Sequence, residues 1–265
     1  MKKILISLMC VCACVSLIGC GGTKKEAAKS QAKPVTVRIA AAASLEKTFT
    51  GKLIPMYVAK NPNVKIEGTY DSSGKLQMQI ENGLKADIFM SAAMKQMNAL
   101  KGKGFMEDAT VMPLLENKLV LIVGNNAKTD MKEFKDFVKA KQPAIGDPKS
   151  VPAGQYAKEA LTKLNLWQNI EKRASLGTNV TQVLNWVAEG SADAGLVYAT
   201  DAASTPKVKV IAEAPQGSLA KPVIYPIGML KQAPEAAEAK KFLTFLESKE
   251  ALEIFQKAGF AVAKK

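Results

Sequence analysis

Short apolar runs alternate with amphipathic segments along most of this chain. Apolar and polar positions alternate over 35–39, as in a half-buried strand, and 119–123 is apolar throughout, as in a strand buried on both faces of a parallel sheet. Between such runs the apolar residues recur at helical spacing, for example at Leu76, Ile80 and Leu84. This alternation of strands and helices predicts mainly parallel sheets covered by helices.

The same periodicities predict the remaining elements. Strands are expected over 64–66, 87–91, 143–146, 194–198, 208–211 and 223–230. Helices are expected over 45–57, 93–101, 131–139, 154–164, 180–189 and 235–258. Pro55 is expected to kink the first of these helices, because proline lacks the N–H that an interior helical position needs.

The first residues have the pattern of an export signal. Lys2 and Lys3 precede an apolar run over 4–18 that is too short to span a bilayer comfortably. The run closes with Leu-Ile-Gly-Cys, which resembles the bacterial lipobox and predicts Cys20 as the lipid-modified first residue of the mature protein. We therefore expect a signal peptide over 1–19 and a flexible lipidated tether over 20–33. An ordinary signal peptide that happens to contain cysteine is the alternative.

Composition narrows the chemistry of the folded part. All four cysteines lie at or before Cys20 and the chain has no histidine, so the fold after the tether has no disulfide, no cysteine-ligated metal and no histidine base. The formal net charge of +13 is scattered along the chain rather than grouped with aromatic residues. For an exported protein this argues against a nucleic-acid partner and is typical of a basic surface beside an anionic membrane.

Four predicted corners between a strand and a helix carry candidate anion-binding groups. They are Ala43-Ser44, Asp71-Ser72-Ser73-Gly74, Val151-Pro152-Ala153-Gly154 and Thr178-Asn179-Val180. A helix start offers free backbone N–H groups and the positive end of the helix dipole, and both favour an anion. Helix capping alone explains each corner equally well, and the spacing along the sequence does not show whether the corners meet.

Longer motifs at and between these corners resemble a known family. The motifs are Ala41-Ala42-Ala43-Ser44-Leu45, Ser72-Ser73, Ala86-Asp87-Ile88-Phe89-Met90-Ser91, Asn117-Lys118-Leu119-Val120-Leu121, Gly146-Asp147-Pro148 with Val151-Pro152-Ala153-Gly154, and Gly195-Leu196-Val197-Tyr198. In this order they resemble the molybdate-binding proteins of bacterial molybdate ABC importers. The resemblance implies the type II periplasmic-binding-protein fold, an α/β fold of two lobes, each a mainly parallel sheet flanked by helices, with the ligand in the cleft between them. The expected lobes are 34–115 with 222–265, and 116–221.

The resemblance also implies a set of ligand contacts. Ser44, Ser73 and Tyr198 are expected to donate from their hydroxyls, and Ala153 and Val180 from their backbone N–H groups. Whether Ser72 or Ser73 meets the anion stays open. Neutral donors suit molybdate, which is a dianion at neutral pH and only accepts hydrogen bonds.

The implied role is capture of molybdate, and of tungstate as well, for delivery to an ABC permease. Molybdenum would enter only as the bound oxyanion, with no bond from protein to metal and no cofactor. We expect a monomer, lipid-anchored at Cys20 on the outer face of the cytoplasmic membrane, and in the periplasm if an outer membrane is present. With only tyrosine titrating in such a site, affinity is expected to stay flat from about pH 6 to 8.

Two alternatives remain. Sulfate or another tetrahedral oxyanion has the same charge and shape, so cavity size would decide between them. Ser44 with Lys47, and Ser72 with Lys75, also fit the Ser-x-x-K motif of a serine hydrolase. The chain lacks the Ser-Asp-Asn and Lys-Thr-Gly partners of that motif, so we do not expect an enzyme. The aspartates Asp71, Asp87, Asp147, Asp193 and Asp201 are interpreted as turn and cap residues.

Overall fold

The computed structural model describes residues 34–264, which form two mixed sheets with helices packed around them. The two-lobed α/β architecture predicted from the sequence is confirmed. The predicted signal peptide over 1–19, the tether over 20–33 and Cys20 lie outside the described residues.

The first lobe is built on the sheet that opens the fold. Its strand order is β11-β4-β10-β3-β1-β2. The bounds are β1 Val35–Ala42, β2 Val64–Asp71, β3 Ile88–Met90, β4 Met112–Asn117, β10 Val223–Met229 and β11 Ala261–Val262. β1 pairs in parallel with β2 and β3, whereas β10 runs antiparallel to β3 and β4.

The second lobe is built on a sheet of order β7-β6-β8-β5-β9. The bounds are β5 Leu119–Gly124, β6 Pro143–Gly146, β7 Ser175–Gly177, β8 Ala194–Tyr198 and β9 Val208–Glu213. β6 pairs in parallel with β7 and β8, and β5 runs antiparallel to both of its neighbours, β8 and β9.

Helices cover both sheets. Those of the first lobe are α1 Glu46–Thr48, α2 Ile54–Lys60, α3 Ser73–Glu81, α4 Met94–Gly102, α9 Ala236–Leu246 and α10 Lys249–Lys257. Those of the second lobe are α5 Pro152–Lys163, α6 Trp167–Glu171, α7 Val180–Ala188 and α8 Ala199–Ala203. Among residues 34–264, none of the helices is both long enough and apolar enough to cross a membrane.

The chain passes between the sheets twice. A single residue, Lys118, separates β4 of the first sheet from β5 of the second. The return runs over 214–222 from β9 to β10. The lobe boundaries placed after residues 115 and 221 stay a prediction, and β4 itself continues to Asn117.

Three local expectations need correction. The sheets are mixed rather than mainly parallel, because the apolar run of β5 reports burial on both faces and not strand direction. The segment predicted as a helix over 131–139 is a 3-10 helix over Phe134–Lys139, closed at its start by a capping box. The segment predicted as one helix over 45–57 changes helix type along its length, with a π-helical stretch over Phe49–Leu53 before α2, and the kink expected at Pro55 stays a prediction.

The end of β1 consists of small, buried residues. Residues 40–43 are all alanine and all buried. The helix that follows packs an aromatic cluster beneath the sheet, in which Phe49 meets Phe242 and Phe255 edge to face with centroid distances of 6.4 and 5.9 Å. This packing fixes the carboxyl end of β1, from which Ser44 projects.

Candidate functional site

A small cavity lies between the two lobes, at the ends of β1 and β8 and at the starts of α3, α5 and α7. Its lining is small or apolar except for three serines and one tyrosine: Ala42, Ala43, Ser44, Ser72, Ser73, Ala92, Val151, Pro152, Ala153, Val180 and Tyr198. The cavity has a volume of about 10 Å³, which is roughly the room that one water molecule needs. The five residues that the sequence named as ligand contacts all line this cavity.

Ser44 reaches the cavity from the 3-10 turn Ala43–Leu45 that follows β1. Its Oγ lies 2.8 Å from the hydroxyl of Tyr225, a fully buried residue on β10. One of these hydroxyls donates to the other. Ser44 therefore has a polar partner behind it and the cavity in front of it.

Ser72 and Ser73 open α3 and both face the cavity. The Oγ of Ser73 accepts a hydrogen bond from the N–H of Ala92 at 2.9 Å, so its own hydrogen remains free to be donated. The Oγ of Ser72 is buried and has no hydrogen-bond partner among the described residues. A buried hydroxyl without a partner is costly, and an acceptor in the cavity would satisfy it. The geometry thus makes Ser72 as good a candidate as Ser73.

Helices α5 and α7 point their N-termini at the same cavity. Pro152 is the first residue of α5 and has no N–H, so the first free backbone donor of this helix belongs to Ala153. Val180 is the first residue of α7. The side-chain oxygen of the N-cap Asn179 accepts from the N–H of Gln182 at 3.0 Å, not from that of Val180. The N–H of Val180 therefore stays among the unpaired donors of the helix start.

Tyr198 closes the cavity from the last position of β8. Its ring is buried, and its hydroxyl lies 3.5 Å from the carbonyl oxygen of Ala92. Burial raises the pKa of Tyr198 well above its ordinary value, so the hydroxyl keeps its proton and acts as a donor.

Asp201 sits directly behind Tyr198, at the start of α8. Its Oδ2 accepts the backbone N–H of Tyr198 at 3.2 Å, which confirms the interpretation of this residue as a cap. Burial raises the pKa of Asp201 to about 7, against a smaller lowering by Lys47. Because Asp201 bonds to the backbone of Tyr198, its raised pKa is a reason to expect that affinity depends on pH, in contrast to the flat profile expected from tyrosine alone.

Polar contacts join the lobes around the cavity. The N–H of Gly74 on α3 donates to the carbonyl of Ser150 at 3.0 Å, and Asn179 Nδ2 donates to Asp71 Oδ1 at 3.2 Å. Lys47 Nζ donates to the carbonyl and hydroxyl of Ser204 at 3.2 and 3.0 Å. The structure therefore has the lobes in contact on several sides of the site.

Comparison with known proteins decides the family. The model of the bacterial extracellular solute-binding protein family matches residues 37–261. The molybdate-binding protein ModA of Haemophilus influenzae is 37% identical over 237 residues, which cover 88% of this chain and 92% of that protein. The chain belongs to the bacterial extracellular solute-binding proteins, and among them to the ModA family. The resemblance seen in the sequence is confirmed.

Two further proteins extend the match. A protein of Bacillus subtilis (strain 168) named as an ABC transporter substrate-binding lipoprotein, YvgL, is 36% identical over 259 residues, covering 98% of each chain. The structure of the periplasmic molybdate-binding protein of Azotobacter vinelandii superposes with a TM-score of 0.75 over 86% of this chain and all of that one. Its identity of 22% shows the shared fold alone.

Solute-binding proteins are transport components rather than enzymes, and the two lysines of the Ser-x-x-K alternative agree with this role. Lys47 bonds to Ser204 on the other lobe, as described above, and Lys75 pairs with Asp71 at 3.4 Å. Each amine thus has a partner other than the serine of its motif. Within residues 34–264, no three Asp, Glu, His or Cys side chains gather as a metal site would require.

Sequence reasoning missed the residues behind the cavity wall. Tyr225 contacts Ser44 from β10, and Asn117 at the end of β4 contacts Tyr225. Asn117 opens one of the motifs that carry the family resemblance, but the sequence gives it no role beside Ser44. Tyr225 lies in no quoted motif, and both residues meet the site only through pairing between distant segments. The contact between the Tyr225 hydroxyl and Ser44 becomes visible only once the strand order is known.

Proposed function

We propose that this ModA-family protein captures molybdate, and tungstate as well, in the cavity between its lobes and delivers it to an ABC permease. The observation that carries the proposal is the chemistry of the lining: it has hydroxyls and helix-start N–H groups, and no charged side chain. A fully deprotonated dianion only accepts hydrogen bonds, so it matches a wall made of donors. The molybdate-binding relatives support the same ligand.

Neutral donors would hold the anion without an ion pair. Ser44, Ser73 and Tyr198 would donate hydroxyl hydrogens, and Ala153 and Val180 would donate backbone N–H groups. Removing one hydrogen bond to a charged group costs on the order of 1.5–3 kcal/mol, so Ser44 and Tyr198 would each contribute about ten- to a hundredfold in affinity.

A wide groove would give the anion its approach. It has a volume of about 620 Å³ and shares Ala43 and Ser44 with the cavity. Its charged lining residues are the lysines Lys47, Lys52 and Lys257 and the acidic Glu46 and Asp201, so lysines are in excess. Lysines along such a groove raise the local concentration of anions. The lysines would steer the ligand, and the neutral donors would bind it.

The cell-surface part of the proposal rests on Cys20. Leu-Ile-Gly-Cys ends an apolar run, and the related B. subtilis protein is named as a lipoprotein. We propose that Cys20 is lipidated and that a monomer stays tethered to the outer face of the cytoplasmic membrane beside its permease.

Thermal unfolding of the chain without its first nineteen residues tests the ligand. A ligand at about one hundred times its Kd adds roughly 2.7 kcal/mol to the free energy of unfolding. At about 2–4 °C per kcal/mol for a chain of this size, this raises the Tm by about 5–11 °C. We expect this shift or more with molybdate and tungstate, and little with sulfate or phosphate. A larger shift with sulfate would reassign the protein to the sulfate binders. No shift with either metal oxyanion would refute the proposal.

A further inference from the structure

A buried hydrogen-bond chain runs behind the cavity and ends at Ser44. Tyr225 is fully buried, its hydroxyl lies 2.8 Å from Ser44 Oγ, and it does not line the cavity itself. On its other side the same hydroxyl lies 3.3 Å from Asn117 Nδ2. We call these residues the Asn117–Tyr225–Ser44 chain.

The direction of this chain follows from its far end. Asn117 Oδ1 accepts the backbone N–H of Lys118 at 2.8 Å, which fixes the oxygen of the amide on that side. Its Nδ2 then faces Tyr225 and Thr200, at 3.3 and 2.9 Å, and an amide nitrogen only donates.

The remaining hydrogens are assigned in turn. The Tyr225 oxygen accepts from Asn117, and Ser44 Oγ at 2.8 Å is the acceptor available to its own hydrogen among the described hydrogen bonds. We assign Tyr225 as the donor to Ser44, because the reverse direction would leave the buried Tyr225 hydrogen without an acceptor among these partners. Burial raises the pKa of Tyr225 well above its ordinary value, so that hydrogen stays in place. Ser44 Oγ therefore accepts from behind, and its single hydrogen is left to point into the cavity.

Strand pairing holds Asn117 and Tyr225, two members of the Asn117–Tyr225–Ser44 chain, in a fixed register. Asn117 lies opposite Val223 in the register of β4 and β10, two positions from Tyr225. Thr200, which shares the Asn117 amide, belongs to the second lobe. The donor direction of Ser44 is thus set by the sheet of one lobe together with a contact from the other.

We propose that Tyr225 is a positioning residue, which with Asn117 fixes the Ser44 hydroxyl as a hydrogen-bond donor toward the bound oxyanion. The inference rests on the proposed function. A serine hydroxyl without such a partner presents a lone pair as readily as a hydrogen, and a lone pair repels a dianion. The hydrogen bond from Tyr225 orients the Ser44 hydroxyl before the ligand arrives, so the entropy cost of ordering this hydroxyl on binding is smaller.

A double-mutant cycle on the chain without its first nineteen residues tests the proposal. Isothermal titration with molybdate is run on the wild type, Tyr225→Phe, Ser44→Ala and the double variant. We expect Tyr225→Phe to weaken binding about three- to tenfold and Ser44→Ala about tenfold or more. The double variant should bind like Ser44→Ala alone, because Tyr225 acts only through that serine. Losses that multiply in the double variant would overturn the proposal.

Two controls separate positioning from packing. Tyr57→Phe removes another buried hydroxyl, which donates to Glu238 at 2.6 Å away from the cavity, and should leave affinity unchanged. Asn117→Leu removes the donor to Tyr225 and should also lose its effect in the Ser44→Ala background, which keeps the test sound if Tyr225→Phe folds poorly.

The outcomes distinguish this inference from the proposed function. If molybdate fails to bind but sulfate binds, the molybdate proposal is wrong and the cycle with sulfate decides the role of Tyr225. If molybdate binds and the cycle is additive, only the positioning role is wrong. If none of molybdate, tungstate, sulfate and phosphate binds, both are overturned.

Discussion

The substitution Gly74→Ala tests whether contact between the lobes at the start of α3 is needed for ligand binding. An added Cβ would come within 2.8 Å of Ser150 Cα and closer still to the Ser150 carbonyl oxygen, both on the other lobe. Carbon atoms in contact prefer about 3.5–4.0 Å, so the lobes would have to separate by about 1 Å at this point. The hydrogen bond from Gly74 to Ser150, now 3.0 Å, would then be too long to count.

The cost should fall on binding rather than on folding. Losing that hydrogen bond removes about 0.5–1.5 kcal/mol, and a 1 Å opening also weakens the donors that face the anion from both lobes. We expect molybdate affinity to drop about 10- to 100-fold. The melting temperature without ligand should fall by only about 1–6 °C, which is the effect of the lost hydrogen bond, because the clash itself disappears when the lobes move apart.

Titration calorimetry and thermal unfolding with and without molybdate measure the two effects. Gly51→Ala is the matched control, because its added Cβ meets no atom within 4 Å. Wild-type affinity in Gly74→Ala would show that contact between α3 and Ser150 is not needed for binding. A collapse of the ligand-free melting temperature would show that the contact serves folding instead.

Two further predictions concern a buried carboxyl group and the anchor. The folded protein holds a proton on Asp201 up to pH about 7, whereas an ordinary aspartate releases it near 3.9. The stability that this proton contributes is therefore full below about pH 4 and lost as the pH rises through 7. At about pH 8 the free energy of unfolding of Asp201→Asn should exceed that of the wild type by up to about 4 kcal/mol, with a higher Tm, and near pH 4 the two should not differ. Wild-type molybdate affinity should fall over the same rise in pH, because the new negative charge lies behind Tyr198, and a melting difference independent of pH would refute this assignment. Cys20→Ser should abolish metabolic labelling with palmitate and release the protein from membranes or leave the precursor uncleaved; unchanged labelling would contradict the anchor.

The sequence could single out the five candidate site residues, which line one cavity, because they stand at corners between strands and helices. Ser44 and Val180 carry local signals, a cap residue or the start of an apolar helical stripe, and the family resemblance supplied their convergence. Tyr225 carries no such signal, and Asn117 belongs to a resemblance motif that gave it no role at the site, since strand order alone brings both residues to Ser44. The direction of β5 was hidden for a similar reason: burial on both faces selects apolar residues whether the neighbours run parallel or antiparallel.

The unequal crossovers between the lobes have a practical consequence for measuring the ligand in cells. One residue, Lys118, links the sheets on the outward pass, whereas the return over 214–222 includes the exposed turn at Gln216 and Gly217. Exposed loop tips accept inserted domains with little loss of stability. A circularly permuted fluorescent protein placed between Gln216 and Gly217 would therefore sit in the longer crossover. There, a movement of the lobes on ligand binding would become an optical readout of oxyanion concentration.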